Sequence, residues 1–143
     1  MAIHYYEQGV KSGLSGRKNL SQYLSTLIRS HLNRVKTVQL SYVFCSDDDL
    51  LTINNDFLSH DTYTDIITFD LSENERELQG EIYISVDRVK DNAAKYNTSY
   101  QEELHRVIFH GALHLCGFKD KTAKDKKEMR KQEDSCLKAY FNN

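Results

Sequence analysis

The spacing of apolar residues along the chain alternates between the two-residue period of a strand and the 3.6-residue period of a helix. Of all the features of the sequence, this alternation limits the possible folds most strongly. In the first part of the chain it predicts a strand at 3–6, a helix at 17–32, a strand at 38–45 and a helix at 47–57, capped by Ser46 or Asp47. In the second part it predicts strands at 65–70 and 80–85, joined as a hairpin, and helices at 86–96, from Ser99 onward and at 122–140. Because strands and helices are mixed without a regular βαβ repeat, we expect an α+β fold with a small mixed sheet and about five helices.

The composition is that of one globular domain spanning residues 1–143. A hydrophobic content of 39% supports one modest core, and no repeat or linker-like segment divides the chain. The net charge is −2, so an interaction with nucleic acid would need a local basic patch. Three cysteines without a C-x-x-C pair favour reduced thiols and a cytoplasmic location. We find no leader-like N-terminus and no apolar segment of membrane length, so we expect no membrane partner.

The run at 109–120, Phe-His-Gly-Ala-Leu-His-Leu-Cys-Gly-Phe-Lys-Asp, is the strongest indication of chemistry. His110 and His114 are four residues apart, so on a helix their imidazoles project from neighbouring turns of one face and can bind one ion. Gly117 stands where a helix commonly ends in a left-handed turn, and that turn would bring Asp120 back toward the imidazoles. Two nitrogens and one carboxylate leave one position for water, which is the ligand count of a catalytic zinc site.

The surroundings of these residues can also be predicted from helical spacing. Leu104, Ile108, Gly111 and Leu115 form the inward stripe of the helix, while Glu103, Val107, His110 and His114 form an adjacent one. We therefore expect the zinc-site helix to pack at the edge of the core, with its histidines facing a cleft. Cys116 should point away from the ligands, and His105 should lie at the surface or at the core boundary.

Three segments together resemble the YbeY family of metal-dependent endoribonucleases, which take part in ribosomal RNA maturation. Residues 110–118 are similar to the family signature H-G-x-L-H-L-x-G-Y-D-H, residues 64–69 to its T-D-V-L-S-F, and residues 80–85 to its G-D-I-x-I-S. The order and spacing of the segments match as well, from about Leu40 to Phe118. The resemblance implies a compact α+β fold, a zinc-like ion on the signature, and cleavage of single-stranded RNA close to ribosome assembly, with ribosomal subunits and ribosome-associated proteins as partners.

The chain departs from the family pattern at two places. The third metal-binding histidine of the family falls at Asp120 and the preceding aspartate at Lys119, which changes the ligand set to His-His-Asp, a sound set for zinc or another divalent ion. The family's arginine, a candidate phosphate contact, falls at Leu58. Either His60 or a lysine from elsewhere would then hold the phosphate, or hydrolysis would be weak.

Phosphodiester hydrolysis needs charge stabilisation on the phosphoryl oxygens and a nucleophile available near neutral pH, and a bound Zn²⁺ supplies both. Gly111 follows the first histidine, so the glutamate base of the H-E-x-x-H metalloproteases is missing. A base must come from outside the helix, and Asp65 and Glu81, the acidic residues of the two strand segments, are the candidate catalytic residues.

An RNA substrate also needs a basic surface, and the segment 119–138 contains eight basic residues against five acidic ones. We name Lys119, Lys121 and Lys124 as candidate RNA contacts, because the excess begins beside the metal motif. Two other functions stay open. One is a non-catalytic ribosome-assembly factor with a structural metal site, and the other is a metallohydrolase for a small or peptide substrate.

Overall fold

Four strands form one mixed sheet in the computed structural model, which describes residues 2–58 and 64–142. They are β1 (Ala2–Glu7), β2 (Thr37–Cys45), β3 (Ile66–Asp70) and β4 (Glu77–Ser85), in the order β1-β2-β4-β3. β1 and β4 each run parallel to β2, whereas β3 pairs antiparallel with β4. The predicted mixed sheet and hairpin are confirmed. β4 begins three residues earlier than predicted, because 77–79 continue the pairing with β2.

The described residues also form five helices, which are α1 (Arg17–His31), α2 (Asp47–Leu58), α3 (Val86–Tyr96), α4 (Tyr100–Leu115) and α5 (Ala123–Phe141). Local chemistry explains where the last three begin. The side-chain hydroxyls of Ser85, Ser99 and Thr122 each accept a hydrogen bond from the backbone N–H three residues later. The α+β class is confirmed, and the helix ends lie within one residue of their predicted positions.

The two faces of the sheet pack against different elements. Along β4, Leu78, Ile82 and Ile84 point into the main core, which they share with apolar residues of α1, α3, α4 and α5. The intervening residues of β4 point to the opposite face, where Leu50 of α2 packs with Cys45 and Ile67 in a smaller cluster. Any residue of β4 that serves a site beside α4 must therefore come from the first of these two sets.

α4 lies directly against the sheet, and two glycines permit this close approach. A Cβ atom at Gly111 would lie 2.9 Å from Ile82 Cγ2, and one at Gly80 would lie 2.8 Å from Leu115 Cδ1, both closer than carbon atoms pack. The buried Tyr42 hydroxyl donates a 2.9 Å hydrogen bond to the carbonyl of Ile108, which ties α4 to β2. These contacts set the height of the helix above the sheet, and with it the position of its histidines.

α4 is more deeply enclosed than its two predicted stripes indicate. His105 and Phe109 are also buried, because Tyr140 and Phe141 at the end of α5 pack against them. The expectation that His105 lies at the surface or boundary is wrong for this reason.

Among the described helices, none is long and apolar enough to cross a membrane.

Candidate metal centre

The last turns of α4 present two imidazoles side by side. The rings of His110 and His114 have centroids 4.6 Å apart and planes inclined by 78°, as expected for residues on neighbouring turns. The helix then ends in a Schellman motif, in which the N–H of Gly117 bonds to the carbonyl of His114 and the N–H of Phe118 to that of Leu113. Gly117 has a φ of 102°, a conformation that side-chain-bearing residues rarely adopt. The turn reverses the chain and returns Asp120 to the two histidines.

The three side chains converge on one point. Oδ2 of Asp120 lies 3.3 Å from Nε2 of His110 and 3.3 Å from Nε2 of His114, and one ligand atom from each residue lies within 4.8 Å of the others. A zinc ion with bonds of about 2.0 Å holds tetrahedral ligand atoms about 3.3 Å apart. The donor types and the two distances from Asp120 therefore fit a divalent ion with three protein ligands and one further position, and the third separation is at most 4.8 Å.

Glu133, on α5, forms a hydrogen bond with His110 at Nδ1, the ring nitrogen that does not face Asp120. Its carboxylate accepts a 2.6 Å hydrogen bond from Nδ1–H of His110 and a 3.1 Å hydrogen bond from the guanidinium of Arg106. Its side chain is only 7% exposed, so both contacts are shielded from solvent. In the neutral imidazole, a proton held on Nδ1 leaves Nε2 of His110 with a free lone pair facing Asp120 and His114, which is the tautomer that a metal ion requires.

Glu133 belongs to the candidate site through its contact with His110, and the sequence analysis did not name it. The sequence indicates an outward charged face on α5, whereas Glu133 lies in the buried stripe of that helix with Met129, Cys136 and Leu137. The sequence did contain one indication of this contact, namely a glutamate at an inward position of an amphipathic helix. Buried charges occur almost only with partners, so such a glutamate predicts a partner in the core.

The carboxylates around His110 change its proton affinity. Burial alone would lower the pKa of His110, but the hydrogen bond and charge of Glu133, together with the charges of Asp65 and Asp120, outweigh burial and raise it above the ordinary value. Burial raises the pKa of the Asp65 carboxyl, and the charge of His110 opposes part of that rise. Asp65 thus lies beside the triad, and the pKa of its carboxyl group is raised in the direction of neutral pH.

The triad lies in an open cleft of about 1220 Å³ between the end of α3, β3, α4 and α5. Asp65 lines this cleft, and so do Asn54, Tyr96, Lys121, Lys126 and Arg130. Of the three lysines named from the sequence, only Lys121 lies in the lining, whereas Lys119 and Lys124 do not. Their roles in RNA binding stay predictions.

Glu81 is not brought to the cleft. It alternates on β4 with Gly80 and Ile82, which face α4, so its side chain points to the other face of the sheet. There it accepts a 3.2 Å hydrogen bond from the Tyr83 hydroxyl. The structure therefore gathers His110, His114, Asp120 and Asp65 into one site and places Glu81 across the sheet from them.

Leu58, His60 and Cys116 are not among the clustered ligands of the described residues. Leu58 is the last residue of α2, and His60 lies outside the described residues. Cys116 is half-buried against the main core, where burial raises the pKa of its thiol to about 12, and it is not among the three clustered ligands. Its expected exclusion from the ligand set agrees with this placement.

Comparison with known proteins agrees with these features. The family model described as Endoribonuclease YbeY matches residues 7–141. The chain is 46% identical over 135 residues to the endoribonuclease YbeY of Cytophaga hutchinsonii, covering 94% of this chain and 93% of that relative. It is 43% identical over 137 residues to the endoribonuclease YbeY of Azobacteroides pseudotrichonymphae, covering 96% of each. The solution structure of TM1509 from Thermotoga maritima superposes with a TM-score of 0.60 at 25% identity, covering 98% of this chain and 89% of that one.

Proposed function

The chain belongs to the endoribonuclease YbeY family, and from this premise we propose that it is a zinc-dependent endoribonuclease that hydrolyses single-stranded RNA during ribosomal RNA processing. The observation that carries the proposal is the convergence of His110, His114 and Asp120 on one point of an open cleft. Three protein ligands with one position left for water or substrate are typical of catalytic zinc sites, whereas structural sites are closed by four.

The triad would hold the ion, and the chemistry supplied by a bound divalent ion is charge stabilisation at the phosphoryl group and activation of water. The protein supplies the rest. Glu133 keeps the proton of His110 on Nδ1, so Nε2 stays available as a ligand atom. We assign to Asp65 the role of accepting a proton from the attacking water; its position in the lining of the same cleft and the rise of its pKa on burial support this role.

The preference for single strands is supported by an aromatic side chain in the cleft. Tyr96, at the end of α3, is 53% exposed and belongs to the lining. An exposed aromatic ring beside basic residues offers a surface on which an unpaired base can stack, while a paired base in a helix cannot reach it.

We further propose that the protein acts in the cytoplasm on ribosomal RNA within ribosomal subunits, with ribosome-associated proteins as further partners. Since the net charge of the chain is −2, attraction to RNA must come from the local basic residues of the cleft and α5. These basic residues are expected to contact phosphates and to make few sequence-specific contacts with bases. The choice of the cleavage site would therefore depend on RNA shape and on the ribosome.

Replacement of one ligand tests the proposal. In His114→Ala, we expect zinc retention and RNA cleavage to fall together while the circular dichroism spectrum is unchanged, because His114 lies at the end of α4 beside the cleft. His4→Ala is the matched control, since His4 is an exposed histidine on β1. Cleavage by His114→Ala at the rate of the native protein would refute a catalytic metal site. RNA binding without cleavage by the zinc-loaded native protein would favour the assembly-factor alternative, which the leucine at position 58 also favours.

A further inference from the structure

One wall of the cleft is a cationic face of α5. Lys126 and Arg130 are four residues apart and share a helix face with Met129 and Glu133. All four residues line the cleft that contains the triad, and Lys121 lines it from the turn that precedes the helix. The face that supports His110 through Glu133 therefore also presents two cations to whatever enters the cleft.

The guanidinium of Arg130 forms a long ion pair with the neighbouring Glu133 carboxylate, but no hydrogen bond. Glu133 already accepts hydrogen bonds from His110 at 2.6 Å and from Arg106 at 3.1 Å, while Arg130 lies 3.6 Å away, beyond hydrogen-bond distance. The Arg130 side chain is 55% exposed, and Arg106 is 11% exposed. Arg106 thus makes the hydrogen bond to Glu133 from the buried side, whereas Arg130 adds a longer ion pair from the cleft side without using its donors in a hydrogen bond to Glu133.

Charge in the cleft depends on the metal ion. The lining contains the carboxylates of Asp65, Asp70, Asp120 and Glu133 and the cations Lys121, Lys126 and Arg130. With neutral histidines the lining is net negative, and a divalent ion makes it net positive. A polyanion would enter the loaded cleft and meet the cations on the α5 side, next to the ion.

We propose that Arg130, assisted by Lys126, binds a phosphodiester of the RNA strand beside the metal triad, so that the α5 face positions the RNA backbone for cleavage. A guanidinium binds a phosphate through two parallel hydrogen bonds, which a lysine cannot match in geometry. Arg130 is a positioning residue in this scheme, since the metal triad and Asp65 act on the reacting atoms. This inference rests on the proposed function and adds the contact that places its substrate.

The test measures RNA affinity as a function of salt. For zinc-loaded protein and a labelled single-stranded RNA, we expect Arg130→Gln to weaken binding about tenfold and to reduce the slope of log K against log salt by about 0.7, the loss of one phosphate contact on a single strand. Lys126→Gln should act in the same direction, and Arg130→Lys should recover the slope but only part of the affinity. Zinc content and thermal midpoint should not change.

Lys18→Gln is the matched control, because it removes the same charge from an exposed position on α1, away from the cleft. If Arg130→Gln bound RNA with the affinity and slope of Lys18→Gln while the native protein bound and cut RNA, the inference would be wrong and the proposed function would stand. Failure of the zinc-loaded native protein to bind RNA would overturn both.

Discussion

The hydrogen bond between Glu133 and His110 should control metal affinity, and Glu133→Gln tests this directly. Glutamine has the shape of glutamate, but its amide offers one oxygen acceptor in place of two and carries no charge. In the native protein one carboxylate oxygen accepts from His110 Nδ1–H and the other from Arg106. The amide cannot accept from both donors.

The glutamine amide can be oriented in two ways, and each of them disrupts one of the two native hydrogen bonds. With the oxygen toward Arg106, the NH₂ group faces Nδ1 of His110, which moves the imidazole proton to Nε2 and aims it at the metal position. With the oxygen toward His110, the NH₂ group faces the buried guanidinium, and one charge-assisted hydrogen bond worth about 1.5–3 kcal/mol is lost. Because loss of the group that orients a histidine ligand commonly weakens metal binding by about 10- to 100-fold, we expect a fall of that size, about 1.4–2.7 kcal/mol, in zinc affinity.

The assay is a competition titration with a chromophoric zinc chelator, combined with ¹⁵N NMR of the imidazoles to read the tautomer of His110. Asp134→Asn is the matched control, because Asp134 contacts the same Arg106 at 2.8 Å without touching His110. We expect native zinc affinity in this control. Native zinc affinity in a folded Glu133→Gln variant, with the proton of His110 still on Nδ1, would show that Glu133 does not set the ligand tautomer.

Three further predictions concern the helix, a buried histidine and the aromatic side chain of the cleft. Gly111→Ala should lower the free energy of unfolding by about 1–3 kcal/mol in urea denaturation, because its methyl group would lie 2.9 Å from Ile82. His105 has its pKa lowered by burial below the ordinary 6.5, so its contribution to stability is present above pH 6.5 and is lost as pH falls. In metal-free protein, the free energy of unfolding of His105→Leu should therefore fall less on acidification than that of the native protein. His110 contributes in the opposite direction, but it is present in both proteins, so its contribution cancels when the two are compared. Tyr96→Ala should weaken single-stranded RNA binding by about 1–3 kcal/mol while Tyr96→Phe binds normally, and equal affinities would exclude stacking.

The sequence predicted best those features that local chemistry determines. Ser99 begins α4 because its hydroxyl caps the helix, and Gly117 ends it because the chain needs a positive φ there. The same turn returned Asp120 to His110 and His114, as expected. All of these interactions join residues no more than ten positions apart, so the spacing of residue types was sufficient information.

What the sequence did not predict depends on how distant elements pack. Glu133 reaches His110 only because α5 docks on α4, a contact across 23 residues. His105 is enclosed by the end of the same helix, which helical periodicity within α4 cannot indicate. Glu81 differs from these two, since its alternation with Gly80 and Ile82 was visible in the sequence and already separated it from the face that α4 covers.

α5 therefore has two roles that depend on a single docking geometry. Its buried stripe places the carboxylate of Glu133 against His110, and the adjacent exposed positions of the same face carry Lys126 and Arg130 into the cleft. A shift of α5 relative to α4 would move the support of a metal ligand and the proposed phosphate contact together. Because Arg106 of α4 bonds to both Glu133 and Asp134, it holds the two helices in register at this point. If both proposals hold, metal retention and RNA positioning would be coupled through helix packing, even without direct contact between the ion and the α5 cations.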